Sequence, residues 1–375
     1  MSRRTWLAGV GFSLAVCPKS WGRTGFVEDQ QAAAKAGLIV RSRRPLDLET
    51  PVADLDGWVT PNDRFFVRSH FGSPAITRAP WKIALEGLLD RPGSLKLDEL
   101  DRFEGVRIPA VLQCSGNGRA FFKPLIPGVA WERGGVGQAD WTGVRLADVL
   151  RDAGIQSGAA HVQFLGSDGP PSPKTPAWHR SLPIERALDP STLLATHMNG
   201  EPLPVLHGGP VRLIVPGWGG NHWMKWVRNI TVSRQEADSF YMQTAYKMPI
   251  RPAGPGAVVP PEELRPVTWL NVKSLITHPL QGSKHSPGSI EIRGVAWTGQ
   301  GTVDRVEVAS GSGDHWSPAE LIDAPRAGAW RRWKATLDLR APGEASLRAR
   351  ATDSTGATQP VITPWNKSGY LWNGI

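Results

Sequence analysis

The chain has 375 residues, 40% of them hydrophobic and 21% charged, a globular balance with room for about two domains. No apolar run reaches the roughly 18 residues that a membrane span needs. The net charge is +9, but the basic residues are scattered and no helix-turn-helix or RNA-binding signature occurs, which argues against nucleic acid and towards a small anion as partner.

Residues 1–22 read as an address. Arg3 and Arg4 stand just before a short apolar run, Leu7 to Val16, the pattern of an export signal of the twin-arginine kind. That route carries folded proteins, so a periplasmic enzyme that receives its cofactor in the cytoplasm is expected. Residues 23–50 are polar with weak periodicity and read as an N-terminal arm. From 51 to 248 the chain mixes short β-type runs, helix patterns and Gly/Pro turns, an α+β domain rather than a regular βαβ repeat. Within it, Trp81 to Leu88 and Val211 to Val215 read as strands. Val144 to Ala153 reads as a helix, with Leu146, Val149 and Leu150 on one face and Gly154 as its stop. No GxGxxG follows a strand and no phosphate-binding P-loop occurs, so nucleotide chemistry finds no support. Residues 249–266 form a Pro-rich linker, stiff and extended. Beyond it, residues 267–375 alternate as strands do at Ser289 to Trp297, at Val306 and Val308, at Trp333 to Leu339, and at Leu347 to Ala351. Such strands, with few helix signals between them, predict an Ig-like β-sandwich.

Cys17 and Cys114 are the two cysteines. If the leading segment is removed, Cys114 is a lone thiol in an oxidising compartment, either buried and inert or chemically employed. It sits in the run QCSGNGR, where an apolar pair precedes it and two glycines follow, the pattern of a strand entering a tight turn. The glycines admit close approach of a large ligand, and Arg119 would favour a thiolate or a bound anion. A structural thiol, a nucleophile and a single metal ligand all fit; one Cys is too few for zinc or an iron–sulfur cluster.

Four further groups draw attention. In FFVRSH, Arg68 and His70 share a strand face, although an exposed arginine and a core histidine would look the same. His207 and Arg212, then Trp223, Met224 and Lys225, lie among glycines and tryptophans, where freed amides and fixed cations suit a phosphate; a pair of ordinary turns is the plain alternative. Asp168, in a Gly-Ser-Asp-Gly run, reads as a turn residue. Tyr246 beside Lys247 reads as a packing tyrosine or as a hydrogen-bond donor to an oxyanion.

The strings FFVRSH, QCSGNGR, MNGEPLPVLHGGPVRLIVPGW and MKW, in that order, resemble the sulfite oxidase family of molybdopterin enzymes. The likeness runs nearly the whole chain, through a sandwich that is similar to the family's dimerisation domain. It is greatest with the bacterial, haem-free, periplasmic sulfite dehydrogenases. The resemblance implies one Mo-molybdopterin per subunit and no haem, with Cys114 as the protein's thiolate on molybdenum. It places Phe66, Val67, Arg68, Ser69, His70, Asp168, His207, Arg212, Trp223, Met224 and Lys225 around the pterin and its phosphate. It places Arg68, Arg119, Trp131 and Tyr246 around the substrate.

The implied reaction is oxygen-atom transfer to sulfite in a homodimer, with electrons passed singly to a separate acceptor such as a c-type cytochrome. Two family features depart here: Pro127 stands where vertebrate members carry a lysine, and Asn366 to Gly369 stands where they carry an arginine. Rival readings within the family are a sulfane dehydrogenase and a sulfoxide reductase. Outside it they are a Cys–His hydrolase using Cys114 with His70 or His207, and a secreted β-sandwich binding protein.

Overall fold

The computed structural model describes residues 35–76, 80–313 and 315–375. The expected export segment, 1–22, and the start of the arm lie outside these. The strands relevant here are, in chain order, β1 (Ile39–Arg43), β2 (Leu46–Glu49), β3 (Lys82–Gly87), β4 (Gly93–Lys96), β5 (Gly105–Gln113) and β6 (Val136–Arg145), which runs straight into helix α1 (Leu146–Ala153). They continue as β7 (His161–Gly166), β8 (His179–Pro183), β9 (Leu193–Met198), β10 (Glu201–Pro202), β11 (Arg212–Ile214) and β12 (Val227–Ser233).

Two sheets build the first unit. One has the order β10-β9-β6-β5, with β11 also on β9; the other has the order β4-β3-β12-β7-β8. Among the named strands, β3 and β12 form the one parallel pair, so the second sheet is mixed, as an α+β domain requires. Helix α1 starts two residues later than its periodicity predicts, because β6 keeps pairing with β9 through Arg145. Its predicted face is buried at Leu146, Val149 and Leu150, and Gly154 ends it at a φ of 77°, where a side chain would be strained.

The described part of the arm is a β1–β2 hairpin. Leu38, Leu46 and Leu48 pack with Val67 and Leu206 in a small apolar cluster, and Leu48 exchanges both backbone hydrogen bonds with Val67. The Pro-rich connector also folds: β13 (Lys247–Pro249) pairs antiparallel with β14 (Leu264–Pro266). Proline is tolerated there because it sits at the ends of a short ribbon, where no donor is needed.

The second unit is a sandwich of two sheets. One joins β15 (Lys273–His278), β16 (Gly288–Trp297), β19 (Glu320–Leu321) and β20 (Arg331–Leu339) in the order β15-β16-β20-β19; the other joins β17 (Val303–Ser310), β18 (Ser317–Pro318) and β21 (Leu347–Asp353) in the order β18-β17-β21. Ile292, Ala296, Val306, Val308, Trp333 and Ala351 fill the space between them, the inward half of the alternation read in the sequence.

The two units share a core. Val111 and Val136 of the first pack with Leu275, Val295, Trp297 and Trp330 of the second. Polar ties lock the contact: Trp297 Nε1 donates to Gln113 Oε1 at 2.8 Å, and the Trp330 amide donates to Gln138 Oε1 at 2.7 Å. Because Gln113 precedes Cys114, the sandwich helps fix the turn that carries the thiol. Trp330 is wholly buried, so Trp330→Ala should cost about 3–5 kcal/mol, measured by denaturant unfolding; a loss under about 1 kcal/mol would contradict this shared core.

Candidate active site

A cleft opens between the ends of these elements. Phe66, Arg68, Ser69, His70, Cys114, Asp168, His207, Arg212, Trp223, Lys225 and Tyr246 all line it, bringing together residues up to 180 positions apart. Cys114 follows β5 directly, and its amide donates to the Gly135 carbonyl at 2.9 Å. Gly118 closes the turn at a φ of 88°, and a Cβ there would lie 2.5 Å from Trp372. Backbone conformation and close packing therefore both demand glycine. The thiol forms no disulfide. Burial pushes its pKa up, while Arg68 and Arg119 pull it back towards thiolate.

Arg68 Nη1 donates to Asp47 Oδ1 at 3.1 Å, and Asp47 is itself buried. Burial opposes the arginine's charge; Asp47 outweighs it and holds the guanidinium ionised. His70 stacks on Trp178 with ring centroids 3.8 Å apart, and its Nε2 lies 2.9 Å from the Tyr246 hydroxyl. Burial, then Arg68, Lys225 and Arg180, push His70 well below its ordinary value, so it is neutral at pH 7. Tyr246 has a φ of 55°, a strained left-handed conformation for a bulky residue, and burial raises its phenol pKa strongly.

A second group of charges faces the same space. Arg212 is buried and donates through Nη1 to the His207 carbonyl at 2.8 Å, while its Nε has no partner. Burial, with no carboxylate to offset it, draws its pKa down to about 9. Lys225 donates to Ser69 Oγ at 2.7 Å and to the Leu206 carbonyl at 3.1 Å. Burial and Arg212 lower its pKa, and burial raises that of its neighbour Asp168. His207 is wholly buried, and its Nε2 lies 2.7 Å from Lys35 Nζ.

Four sequence-predicted residues do not line the cleft. Val67 pairs with Leu48. Met224 is buried and joins through its carbonyl to the Leu213 amide at 2.8 Å. Trp131 stands behind the wall, edge-on to Phe66. Arg119 turns aside, and its guanidinium donates to the Val129 carbonyl at 3.2 Å and to the Ser368 carbonyl of the C-terminal segment at 3.4 Å.

Other lining residues escaped the sequence reading: Leu112, Ser115, Trp178, Leu206, Gly220 and Asn221. Ser115 and Asn221 lie inside motifs already singled out, and Ser115 Oγ donates to Asn221 Oδ1 at 2.7 Å. Trp178 carried no local signal. Neither did Arg180, which is buried behind it and draws within 2.9 Å of His222 Nε2.

Among the described residues, no three His, Cys, Asp or Glu side chains converge to hold a metal. A metal on Cys114 must therefore bring most of its ligands with it. Buried cations with spare donors, a thiol in the same cleft and glycine-lined walls fit a phosphate-bearing cofactor of that kind.

Comparison with known proteins agrees. The family model "Oxidoreductase molybdopterin binding domain" matches residues 70–241, and "Mo-co oxidoreductase dimerisation domain" matches residues 265–374. Sulfite oxidase of Gallus gallus is 36% identical over 351 residues, covering 89% of this chain and 76% of that protein. The chain belongs to the sulfite oxidase family of molybdopterin oxidoreductases. Other members include the Arabidopsis thaliana sulfite oxidase, 31% identical over 91% of this chain and 93% of that protein. The Homo sapiens mitochondrial sulfite oxidase is 36% identical over 90% of this chain, which spans 64% of its length. Among solved structures, the sulfane dehydrogenase SoxCD of Paracoccus pantotrophus matches with a TM-score of 0.78 at 26% identity, covering 99% of this chain and 93% of that one.

The buried histidines make stability depend on pH. His70, His207 and His222 are each held well below 6.5, with burial the largest cause. Below pH 6.5 the unfolded chain takes up protons there that the folded one refuses, so these groups cost stability as pH falls. Asp168, raised by burial, acts in the opposite sense. His222 lies outside the cleft lining, so His222→Gln should reduce the loss of stability between pH 6.5 and 5, with a slope that approaches the one-proton limit of about 1.4 kcal/mol per pH unit at the acid end. Denaturant unfolding across that range checks it; an unchanged slope would mean His222 titrates normally.

Proposed function

We propose that the protein oxidises sulfite: sulfite and water give sulfate, two protons and two electrons, and the electrons leave singly to a separate acceptor, a c-type cytochrome. The observation that carries this reading is the meeting, in one cleft, of the free thiol Cys114, the Asp47-braced Arg68 and the Tyr246–His70 pair. When bound, Mo-molybdopterin supplies the oxygen-atom transfer and a two-electron sink.

In this reading Cys114 is the protein's ligand to molybdenum. Arg212 and Lys225 meet the cofactor's phosphate with donors that burial has left without a carboxylate of equal strength. Asp168, His207, Ser69, Phe66 and Trp223 shape the walls of its berth, and Val67, Met224 and Trp131 act from behind as packing. Arg68 presents fixed positive charge to the sulfite anion, and Asp47 keeps it in place through turnover, so little reorganisation is needed. His70, neutral and stacked on Trp178, holds the Tyr246 hydroxyl where it can hydrogen-bond an oxyanion. Tyr246 stays protonated, because burial disfavours its phenolate.

Sulfane oxidation is the second reading, favoured by the likeness to the sulfane dehydrogenase. Arg68 and the Tyr246 hydroxyl in one cleft suit a small, free anion better. Homodimer formation through the sandwich is in keeping with the matched dimerisation model. Export to the periplasm rests on Arg3 and Arg4 ahead of the run from Leu7 to Val16.

Sulfite-dependent reduction of cytochrome c and ferricyanide by Mo-loaded protein tests the reading. Turnover on sulfite, falling at least about 1,000-fold in Cys114→Ser while the melting temperature holds, is the expected result. Mo-loaded protein inert to sulfite would overturn the substrate. Activity retained in Mo-loaded Cys114→Ser would overturn the ligand role.

A further inference from the structure

The C-terminal segment reaches back from the sandwich into the first unit. Its Leu371 amide donates to the Ser115 carbonyl at 2.8 Å, one residue from the thiol, and Asn271 Nδ2 holds the Leu371 carbonyl at 2.8 Å. Asn366 clamps Tyr370 at both backbone ends: Oδ1 accepts from the Tyr370 amide at 3.1 Å, and Nδ2 donates to its carbonyl at 3.0 Å. Gly369, at a φ of 63°, lets the Arg119 side chain pass, since a Cβ there would lie 3.0 Å from Arg119 Cγ.

So fixed, the Tyr370 ring lies between two groups that the family resemblance implies for the substrate. It stacks parallel on Tyr246, with centroids 5.1 Å apart and planes at 12°, and the Arg119 guanidinium carbon sits 5.4 Å above its centre. Arg119 otherwise has two long carbonyl contacts and an Nε without a partner. The ring covers one face of a guanidinium that Gly116 and Gly128 also crowd, and that still has donors to offer. Tyr246 is strained and lines the cleft, so a flat ring on one face helps His70 keep its hydroxyl aimed.

We propose that Tyr370 is a positioning residue of the anion site, which holds the Tyr246 hydroxyl against a small oxyanion, keeps the Arg119 charge fixed behind it, and so narrows the site against bulkier sulfur substrates. The proposal rests on the sulfite reading. It assigns a substrate-selecting role to the C-terminal segment of the sandwich unit. The π face carries the effect, through stacking and cation–π attraction.

The test compares Tyr370→Ala and Tyr370→Phe in Mo-loaded protein, reading sulfite kinetics and the Kd of sulfate by calorimetry. Tyr370→Ala should raise both the sulfite KM and the sulfate Kd about tenfold, with kcat within about threefold. It should also raise kcat/KM for thiosulfate relative to sulfite. Tyr370→Phe, which keeps the π face, should restore both constants to within about twofold. Unchanged constants in Tyr370→Ala, a fall in kcat alone, or a phenylalanine variant as impaired as alanine would each overturn the proposal. Should Tyr370→Ala lose its molybdenum, Tyr370→Leu keeps the volume without the π face and is read the same way. Wild-type protein that binds sulfate but does not oxidise sulfite contradicts the function alone, and the sulfate constants then decide Tyr370. Wild-type protein that does neither overturns both.

Discussion

Arg212 and Lys225 are buried beside one cleft, and the carboxyl nearest to Lys225, Asp168, is itself pushed towards its neutral form. Moving a cation out of water costs several kcal/mol unless an anion meets it. The fold accepts that cost at Arg212, leaves its Nε without a partner, and adds Arg68 and the wholly buried His207 in the same lining. A core built only for stability would not retain this arrangement; a site that receives an anionic cofactor and an anionic substrate needs it. Neighbouring features serve the same end. Histidines stay neutral so as not to add charge, Asp47 braces Arg68, and glycines at 118 and 208 let backbone and long side chains pass closely.

The sandwich then becomes part of the site and not merely an appended domain. Trp297 and Trp330 tie it to Gln113 and Gln138, which flank the thiol turn and the strand beside it. Its last residues return to Ser115 and Tyr246. Rigid support from a second unit holds the first-unit groups within the narrow tolerance that oxygen-atom transfer demands.

Much of this was legible in the sequence, for local reasons. Cys114, His207, Arg212 and Lys225 announce themselves because glycines and tryptophans crowd around them, and helix α1 and the sandwich strands follow from periodicity. What escaped is set by distance along the chain. Trp178 stacks on a histidine 108 positions away, Lys35 meets a histidine 172 positions away, and Tyr370 meets Tyr246 only because the C-terminal segment folds back. Asp47 looked like part of a polar arm; its role exists only once the β1–β2 hairpin packs beside Arg68. The Pro-rich connector predicts an extended spacer, yet its ends pair as a ribbon, since composition does not register strand partners.

The role proposed for Cys114, one protein thiolate joining a cofactor held by buried cations, can be read at the metal itself. X-ray absorption at the molybdenum edge tests it most directly, on protein matured with its cofactor and on Mo-loaded Cys114→Ser. The variant's metal is expected to have one sulfur neighbour fewer than the wild type's. An identical sulfur shell in the two proteins would contradict it.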